Sequence, residues 1–260
     1  MSGLGPWTLA QDGPLAVLTI AKPPLNLFDE EVFDGLIAAI DQVGREKPRG
    51  LLLRAEGKVW TGGVDVHMFQ GLTPETGGEV WRRGFEMIQA IEDLPFPVIF
   101  AAHGLTLTWG FEVALACDFI VAAEGAQFGL VEIVVGLTPS MGGPQRLAEK
   151  AGPSRAKDLV MTGQLFDAAT LKEWGVVTRL WPDDQFEEKA RKLAERIAAG
   201  PTVAHAATKQ IVKAQKEGGA RAADAIVPEL AGSLFATEDL KRAVESFLEK
   251  GPGHATYEGR

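Results

Sequence analysis

The stretch "LTLTWGFEVALACD", Leu105–Asp118, decides how the chain is interpreted. A short strand-like run leads into Trp109-Gly110, and an apolar helix with Glu112 in its first turn follows. The first amides of a helix have no partner within it, so a turn of this kind can offer backbone N–H groups to a ligand. Gly-containing turns between strands and helices are common, so the turn alone is a weak signal of function.

Strand-like and helix-like runs alternate on both sides of this stretch. Strands are predicted in "RGLLLRAEG", "PFPVIFAAHG" and, as a pair, "DFIVAAEGAQFGLVE". Helices are predicted in "EVWRRGFEMIQAIEDL" and, after a Gly-rich loop, in "GLTPSMGGPQRLAEKAG". This cycling predicts an α/β protein of stacked strand-strand-helix turns, without a repeat of fixed period.

The two ends of the chain differ in pattern. Near the start, Asp12-Gly13 separates two β-rich runs and predicts a hairpin, and Asp29 is a candidate N-cap for a helix over "DEEVFDGLIAAIDQV". From about Pro201 onward, four Ala-, Lys- and Glu-rich segments show helical spacing. We therefore expect an all-helical C-terminal region.

Composition and charge narrow the class of protein. A chain of 260 residues with 46% apolar residues can bury a sizeable core, and its net charge of -9 argues against a nucleic-acid partner. Its single cysteine, Cys117, excludes an internal disulfide. The sequence shows neither a signal-peptide pattern nor a run of about 20 apolar residues, so we expect a cytoplasmic protein with no membrane partner.

Two glutamates lie in apolar runs, Glu112 in "WGFEVALA" and Glu132 in "FGLVEIVVGL". Considered alone, each glutamate is expected to point its side chain into water. As a pair they suit acid–base chemistry. The helix start favours the ionised form of Glu112, a base, whereas the apolar neighbours of Glu132 raise its carboxyl pKa and suit an acid.

Backbone donors and metal ligands complete the candidate features. The turns "TGGVD" and "TWG" can aim N–H groups at one point, the arrangement that stabilises an oxyanion. The four histidines show no metal-ligand spacing, so we predict no metal site. The loop "GLTPSMGG" lacks the Lys-Ser/Thr ending of a nucleotide-binding P-loop.

Four segments together resemble the crotonase (enoyl-CoA hydratase/isomerase) superfamily. They are "PPLNLF", "TGGVDVHMF", the run from His103 to Leu147, and "TGQLFDAATLKEWGVV". The resemblance extends from roughly residue 7 to the C-terminus. It implies a spiral of repeated ββα turns over residues 1–200 with an acyl-CoA site, and a helical trimerisation region over 201–260. It also implies a homotrimer or homohexamer that needs no cofactor, since coenzyme A is part of the substrate.

The resemblance also assigns roles to residues. It places the two catalytic glutamates at Glu112 and Glu132, and the two backbone donors of the oxyanion hole at Val64 and Trp109. The implied reaction is reversible addition of water to a trans-2-enoyl-CoA, giving a 3-hydroxyacyl-CoA, a step of fatty acid metabolism. The resemblance implies substrate binding by Gly62, Gly63, Asp65, Val66, His67 and Gly110.

The departures from the family pattern leave alternatives open. Thr108-Trp109 stands where family members usually have glycines, and the Trp109 ring either points away from the acyl pocket or narrows it. A double-bond isomerase of the same superfamily and a non-catalytic acyl-CoA-binding subunit remain as other readings. Trp81 and Phe85 are interpreted as the buried face of a helix rather than as pocket residues.

Overall fold

The computed structural model describes residues 3–260. A six-stranded sheet lies at the centre of this part of the chain. Its strand order is β1-β2-β3-β4-β6-β9, and a smaller sheet has the order β5-β7-β8. The strands are β1 (Trp7–Asp12), β2 (Leu15–Ile20), β3 (Gly50–Ala55), β4 (Val98–Ala102), β5 (Leu105–Leu107), β6 (Phe119–Ala123), β7 (Gln127–Gly129), β8 (Phe166–Asp167) and β9 (Arg179–Trp181). The helices are α1 (Glu30–Glu46), α2 (Pro74–Glu92), α3 (Trp109–Ala116), α4 (Gly143–Ala151), α5 (Pro153–Thr162), α6 (Ala168–Glu173), α7 (Asp183–Ala198), α8 (Thr202–Gly218), α9 (Ala220–Leu234) and α10 (Glu238–Lys250).

The central strands of the large sheet, β2, β3, β4 and β6, are buried on both faces. β1 and β2 form the antiparallel hairpin predicted at Asp12-Gly13, and from β2 to β9 the paired strands run parallel. Alternate side chains face opposite sides. Leu53 and Phe100 pack into the main core, whereas Leu52 and Ile99 pack against α7. Burial on both faces explains why these strands read as continuous apolar runs.

The predicted strand-strand-helix cycling is confirmed. The cycles are β1-β2-α1, then β3 with a bridging segment before α2, then β4-β5-α3, and then β6-β7 before α4. In the second cycle the second strand is reduced to isolated bridges, Thr61 with Thr106 and Val64 with Phe28. The bridging segment therefore lies beside the start of α3, which brings the two predicted donor turns together.

The helical predictions are confirmed in part. Asp29 caps α1, since its Oδ1 accepts a hydrogen bond from the amide of Val32 at 3.0 Å. The prediction of four helical segments after Pro201 is wrong. Within the described residues three helices follow Pro201, namely α8, α9 and α10. The helix before them, α7, is also amphipathic but ends before Pro201.

The C-terminal end is also not entirely helical. The chain leaves α10 at Gly251, and the amides of Glu258 and Gly259 donate to the Asp239 carboxylate at 2.7 Å each. No helix within residues 3–260 is long and apolar enough to cross a membrane.

Candidate active site

One partly open cavity brings together the four residues predicted to act on a substrate. Val64, Trp109, Glu112 and Glu132 all line it, and its volume is only ≈ 30 Å³. The rest of its wall is mostly apolar and comes from the β2–α1 loop, the turn after Val64, α2 and the loop before α4. These residues are Phe28, Met68, Phe69, Leu72, Val80, Trp81, Leu137, Thr138, Ser140 and Met141.

Glu112 is buried at the start of α3, with its carboxylate held by the loop that enters α4. Its Oε1 accepts hydrogen bonds from the amides of Met141 at 2.9 Å and Gly143 at 2.8 Å. Desolvation by burial nevertheless outweighs these two bonds and raises the pKa of Glu112 to about 7. The prediction that its position at a helix start favours the ionised form is therefore wrong in direction, because the loss of water is the larger effect.

Glu132 begins a short 3-10 turn, Glu132–Val135, and is half-buried. Its Oε2 is buried, and no group within residues 3–260 forms a hydrogen bond with it. Burial, and secondarily the negative charge of Glu112, raise the pKa of Glu132 to about 8. The raised pKa predicted for Glu132 is confirmed. Near neutral pH the pair holds a proton preferentially on Glu132.

The backbone geometry leaves the N–H groups of Val64 and Trp109 available to bind a ligand. Phe28 donates to Gly63 O and accepts from the amide of Asp65, both at 2.9 Å, so the intervening Val64 N–H points to the opposite side of the strand. Trp109 is the first residue of α3, so its N–H has no acceptor within the helix.

In the Thr108-Trp109 pair, the backbone strain lies at Thr108. Thr108 has φ 48° and ψ -121°, a left-handed conformation that favours glycine, and its buried Oγ1 has no hydrogen-bond partner within residues 3–260. Trp109 itself is helical. Its ring is fully buried and packs on Trp60 and Phe28, with ring centroids 5.2 Å and 5.1 Å away. The ring therefore lies within the core and only borders the cavity.

Comparisons with known proteins identify the family of this chain. The sequence profile of the family described as enoyl-CoA hydratase/isomerase matches residues 11–259. The chain belongs to the enoyl-CoA hydratase/isomerase family.

Three similar proteins show how far the likeness extends. A crotonyl-CoA hydratase of Syntrophomonas wolfei is 31% identical over 248 residues, which cover 93% of this chain and 94% of that protein. A short-chain-enoyl-CoA hydratase of Clostridium acetobutylicum is 29% identical over 245 residues, 93% of this chain and 94% of that protein. The crystal structure of an enoyl-CoA hydratase from Bacillus anthracis superposes with a TM-score of 0.90 at 27% identity, over 98% of this chain and 100% of that one. The fold is thus the crotonase-type spiral that the resemblance implies.

The other predicted substrate residues are not among the residues that line the cavity, although they are near neighbours in the sequence of Val64 and Trp109, which do line it. Gly62 and Gly63 form the turn before Val64, and Gly63 has φ 112°. Asp65 caps the short helical turn Val66–Phe69, and its Oδ1 lies 2.6 Å from Nδ1 of the exposed His67. Val66 is also exposed. Their predicted role in substrate binding remains a prediction.

Gly110 is placed differently from the other glycines. A Cβ added there would lie 2.5 Å from the Thr61 side chain and 2.9 Å from the Trp60 ring. Glycine at this position lets α3 pack closely on the Thr61 turn, whether or not the residue also touches a substrate.

Sequence reasoning missed two groups of the site. The Met141 and Gly143 amides hold Glu112, and the signal for them is the Gly142-Gly143 pair at a helix start, a common anion-binding arrangement. Trp81 was interpreted as simple helix packing, but it lines the cavity with its ring centroid 6.0 Å from that of Phe69. Phe85, on the same helix, is not part of the cavity wall described above.

Proposed function

We propose that this enzyme is an enoyl-CoA hydratase, which adds water reversibly to a trans-2-enoyl-CoA to give a 3-hydroxyacyl-CoA. The observation that carries the proposal is the shared cavity of Glu112 and Glu132, two carboxyl groups with raised pKa values, beside the Val64 and Trp109 amides. Hydration needs one base, one acid and a site for negative charge. This cavity contains a candidate for each.

The proposed mechanism uses one glutamate in each protonation state. The thioester carbonyl oxygen lies between the amides of Val64 and Trp109. Ionised Glu112 takes a proton from water as the water oxygen bonds to Cβ, and the electron pair of the double bond moves toward the carbonyl oxygen. Glu132 then gives its proton to Cα, and the negative charge returns from the oxygen to form the new C–H bond. The two amides stabilise the transient enolate.

The hydrogen bonds of the two carboxyl groups support this assignment of roles. The Met141 and Gly143 amides donate to Oε1 of Glu112 and favour its ionised form, whereas Oε2 of Glu132 is buried with no partner within residues 3–260, which favours the neutral acid. The proposed step needs no metal or redox cofactor, because backbone amides polarise the carbonyl.

The test is the loss of ultraviolet absorbance when crotonyl-CoA, a conjugated thioester, is hydrated. We expect wild type to consume the signal, and Glu112→Gln and Glu132→Gln each to lose at least about 10²-fold in kcat, as for a missing base or acid. Glu124→Gln, at an exposed turn, is the matched control and should match wild type. A Glu112→Gln enzyme that still moves a double bond from carbon 3 to carbon 2 would instead indicate an isomerase. A wild type that binds crotonyl-CoA without turnover would indicate a binding subunit.

We also propose that residues 1–200 form the catalytic core and that residues 201–260 join it into a homotrimer, with pairing of trimers to a hexamer as the larger form. Large apolar side chains of the C-terminal helices support this, since Phe235 is 75% exposed, Phe247 58% and Leu248 80%. Sedimentation equilibrium tests it: a stable monomer would contradict the proposal.

A further inference from the structure

The side chain of Trp109 connects the two turns of the proposed oxyanion hole. Its indole Nε1 donates to Gly63 O at 3.1 Å and to Thr61 Oγ1 at 3.0 Å. Gly63 C=O and Val64 N–H belong to the same peptide unit. The residue that supplies one donor amide therefore bonds, through its side chain, to the peptide that supplies the other.

Two other groups also restrain the Gly63–Val64 peptide. Gly63 has φ 112°, a conformation open to glycine, and its carbonyl also accepts a hydrogen bond from the Phe28 amide at 2.9 Å and lies 3.3 Å from the Thr61 hydroxyl. The amide of Gly63 donates to Thr61 Oγ1 at 3.0 Å, and this hydroxyl in turn donates to Asn26 O at 2.8 Å. The indole thus bonds directly to the peptide unit after Gly63 and, through the Thr61 hydroxyl, contacts the peptide unit before it.

Two physical effects follow from the bond to Gly63 O. A carbonyl that accepts two hydrogen bonds fixes its peptide plane, and with it the direction of the N–H on the opposite side. Hydrogen bonds to a carbonyl also polarise its peptide, so the N–H becomes a stronger donor. Both effects favour charge stabilisation at the carbonyl oxygen of a bound thioester.

We infer that the indole N–H of Trp109 is a positioning group for the oxyanion hole, which orients and polarises the Gly63–Val64 peptide. The inference rests on the proposed function for its catalytic consequence. The indole touches no substrate atom in this role and acts only through the Val64 amide. A glycine at this position would supply the backbone donor but not this cross-link.

A matched control is present in the same cluster. The Trp60 ring is fully buried, with its centroid 5.2 Å from that of Trp109, but its Nε1 has no hydrogen-bond partner within residues 3–260. Trp60→Phe removes a buried indole from the same aromatic cluster without removing a hydrogen bond. Trp109→Phe removes a buried indole together with both bonds.

The experiment measures carbonyl polarisation directly, by infrared spectroscopy of bound butyryl-CoA carrying carbon-13 in its thioester carbonyl. This saturated thioester cannot be hydrated, so the readout needs binding but not turnover. We expect the carbonyl band to move to lower frequency in wild type and Trp60→Phe, and to move about half as far in Trp109→Phe. In parallel, kcat for crotonyl-CoA should fall about tenfold in Trp109→Phe with KM within about twofold, the scale of one lost hydrogen bond.

The outcomes separate this inference from the proposed function. Equal band shifts in the two Trp variants and wild type would overturn the inference. A full wild-type shift with no hydration would refute the hydratase proposal but leave the inference standing. No shift, or no binding, in wild type would overturn both. If Trp109→Phe does not fold, replacement of Trp109 by benzothienylalanine decides, because this residue has the shape of tryptophan with sulfur in place of the indole N–H: we expect a reduced shift, and a full shift would overturn the inference.

Discussion

Gly143 lies against Glu112, with its amide 2.8 Å from Oε1 of the carboxylate. A Cβ added to Gly143 would lie 3.1 Å from both Cγ and Oε1 of Glu112, and 2.9 Å from Cδ1 of Leu130. The backbone of Gly143 does not have positive φ, so its constraint is space rather than conformation. The start of α4 therefore fixes where the proposed base can lie.

Gly143→Ala should displace the Glu112 carboxylate and lower kcat for crotonyl-CoA by about tenfold or more, since small misplacements of a reacting group are costly. Steady-state kinetics measure this directly. The control is Gly44→Ala in α1, where a Cβ would meet only Leu94 at 3.8 Å. An unchanged kcat in a folded Gly143→Ala enzyme would contradict the positioning role of this loop.

The pH dependence of the reaction should show a narrow maximum. Below about pH 7 the pair gains a proton and the base on Glu112 is lost, and above about pH 8 the pair loses the acid on Glu132. We expect kcat/KM for crotonyl-CoA to fall about tenfold per pH unit on each side. His103→Gln, outside the cavity, should keep both limbs. A flat profile between pH 6 and pH 9 would contradict the assignment of Glu112 and Glu132 as base and acid.

The site was predictable from the sequence where local pattern decides it. The apolar runs around Glu112 and Glu132 indicate both acids, and the strand-to-helix turn "TWG" indicates a source of backbone donors, a role that the family resemblance assigns to Trp109. The pKa direction of Glu112 was not predictable, because the loop that buries it lies 29 to 31 residues further along the chain. Local helix geometry argued for an ionised group, and tertiary burial reversed this.

The same limit explains the aromatic residues. From sequence the Trp109 ring could point into the pocket or away, and only its packing on Trp60 and Phe28 decides for the core. Trp81 shows the reverse. Helical spacing places Trp81 on a packed face of α2, as predicted. The segment that carries Phe69 packs against this face, and sequence periodicity does not predict where that segment lies.

Glu132 should make the protein less stable as pH rises. Its pKa is about 4.5 as a free side chain and about 8 in the folded protein, so between these values the folded state keeps a proton that the unfolded state releases. The stability from the neutral carboxyl is complete below about pH 4.5 and is lost as pH rises toward 8. Relative to wild type, Glu132→Gln should therefore gain a few kcal/mol between pH 5 and pH 8.5.

Urea unfolding of wild type and Glu132→Gln at the two pH values measures this gain. Glu112 contributes a slope of the same sign to both proteins, so the difference between them reports Glu132 together with its repulsion with Glu112. The exposed Glu124→Gln should follow wild type at both values. Parallel stability curves for wild type and Glu132→Gln would show that Glu132 is not held neutral.

At position 108, the glycine variant should be more stable than the alanine variant, which reverses the usual order. In ordinary backbone alanine is the more stabilising of the two, but at φ 48° and ψ -121° any side chain is strained. Thr108→Gly and Thr108→Ala both remove the buried hydroxyl that has no partner within residues 3–260. Only the glycine variant also relieves the backbone, so it should unfold with a free energy about 1 to 2 kcal/mol higher than the alanine variant. Equal stability, or a more stable alanine variant, in denaturant unfolding would show that this turn relaxes around a side chain at no cost.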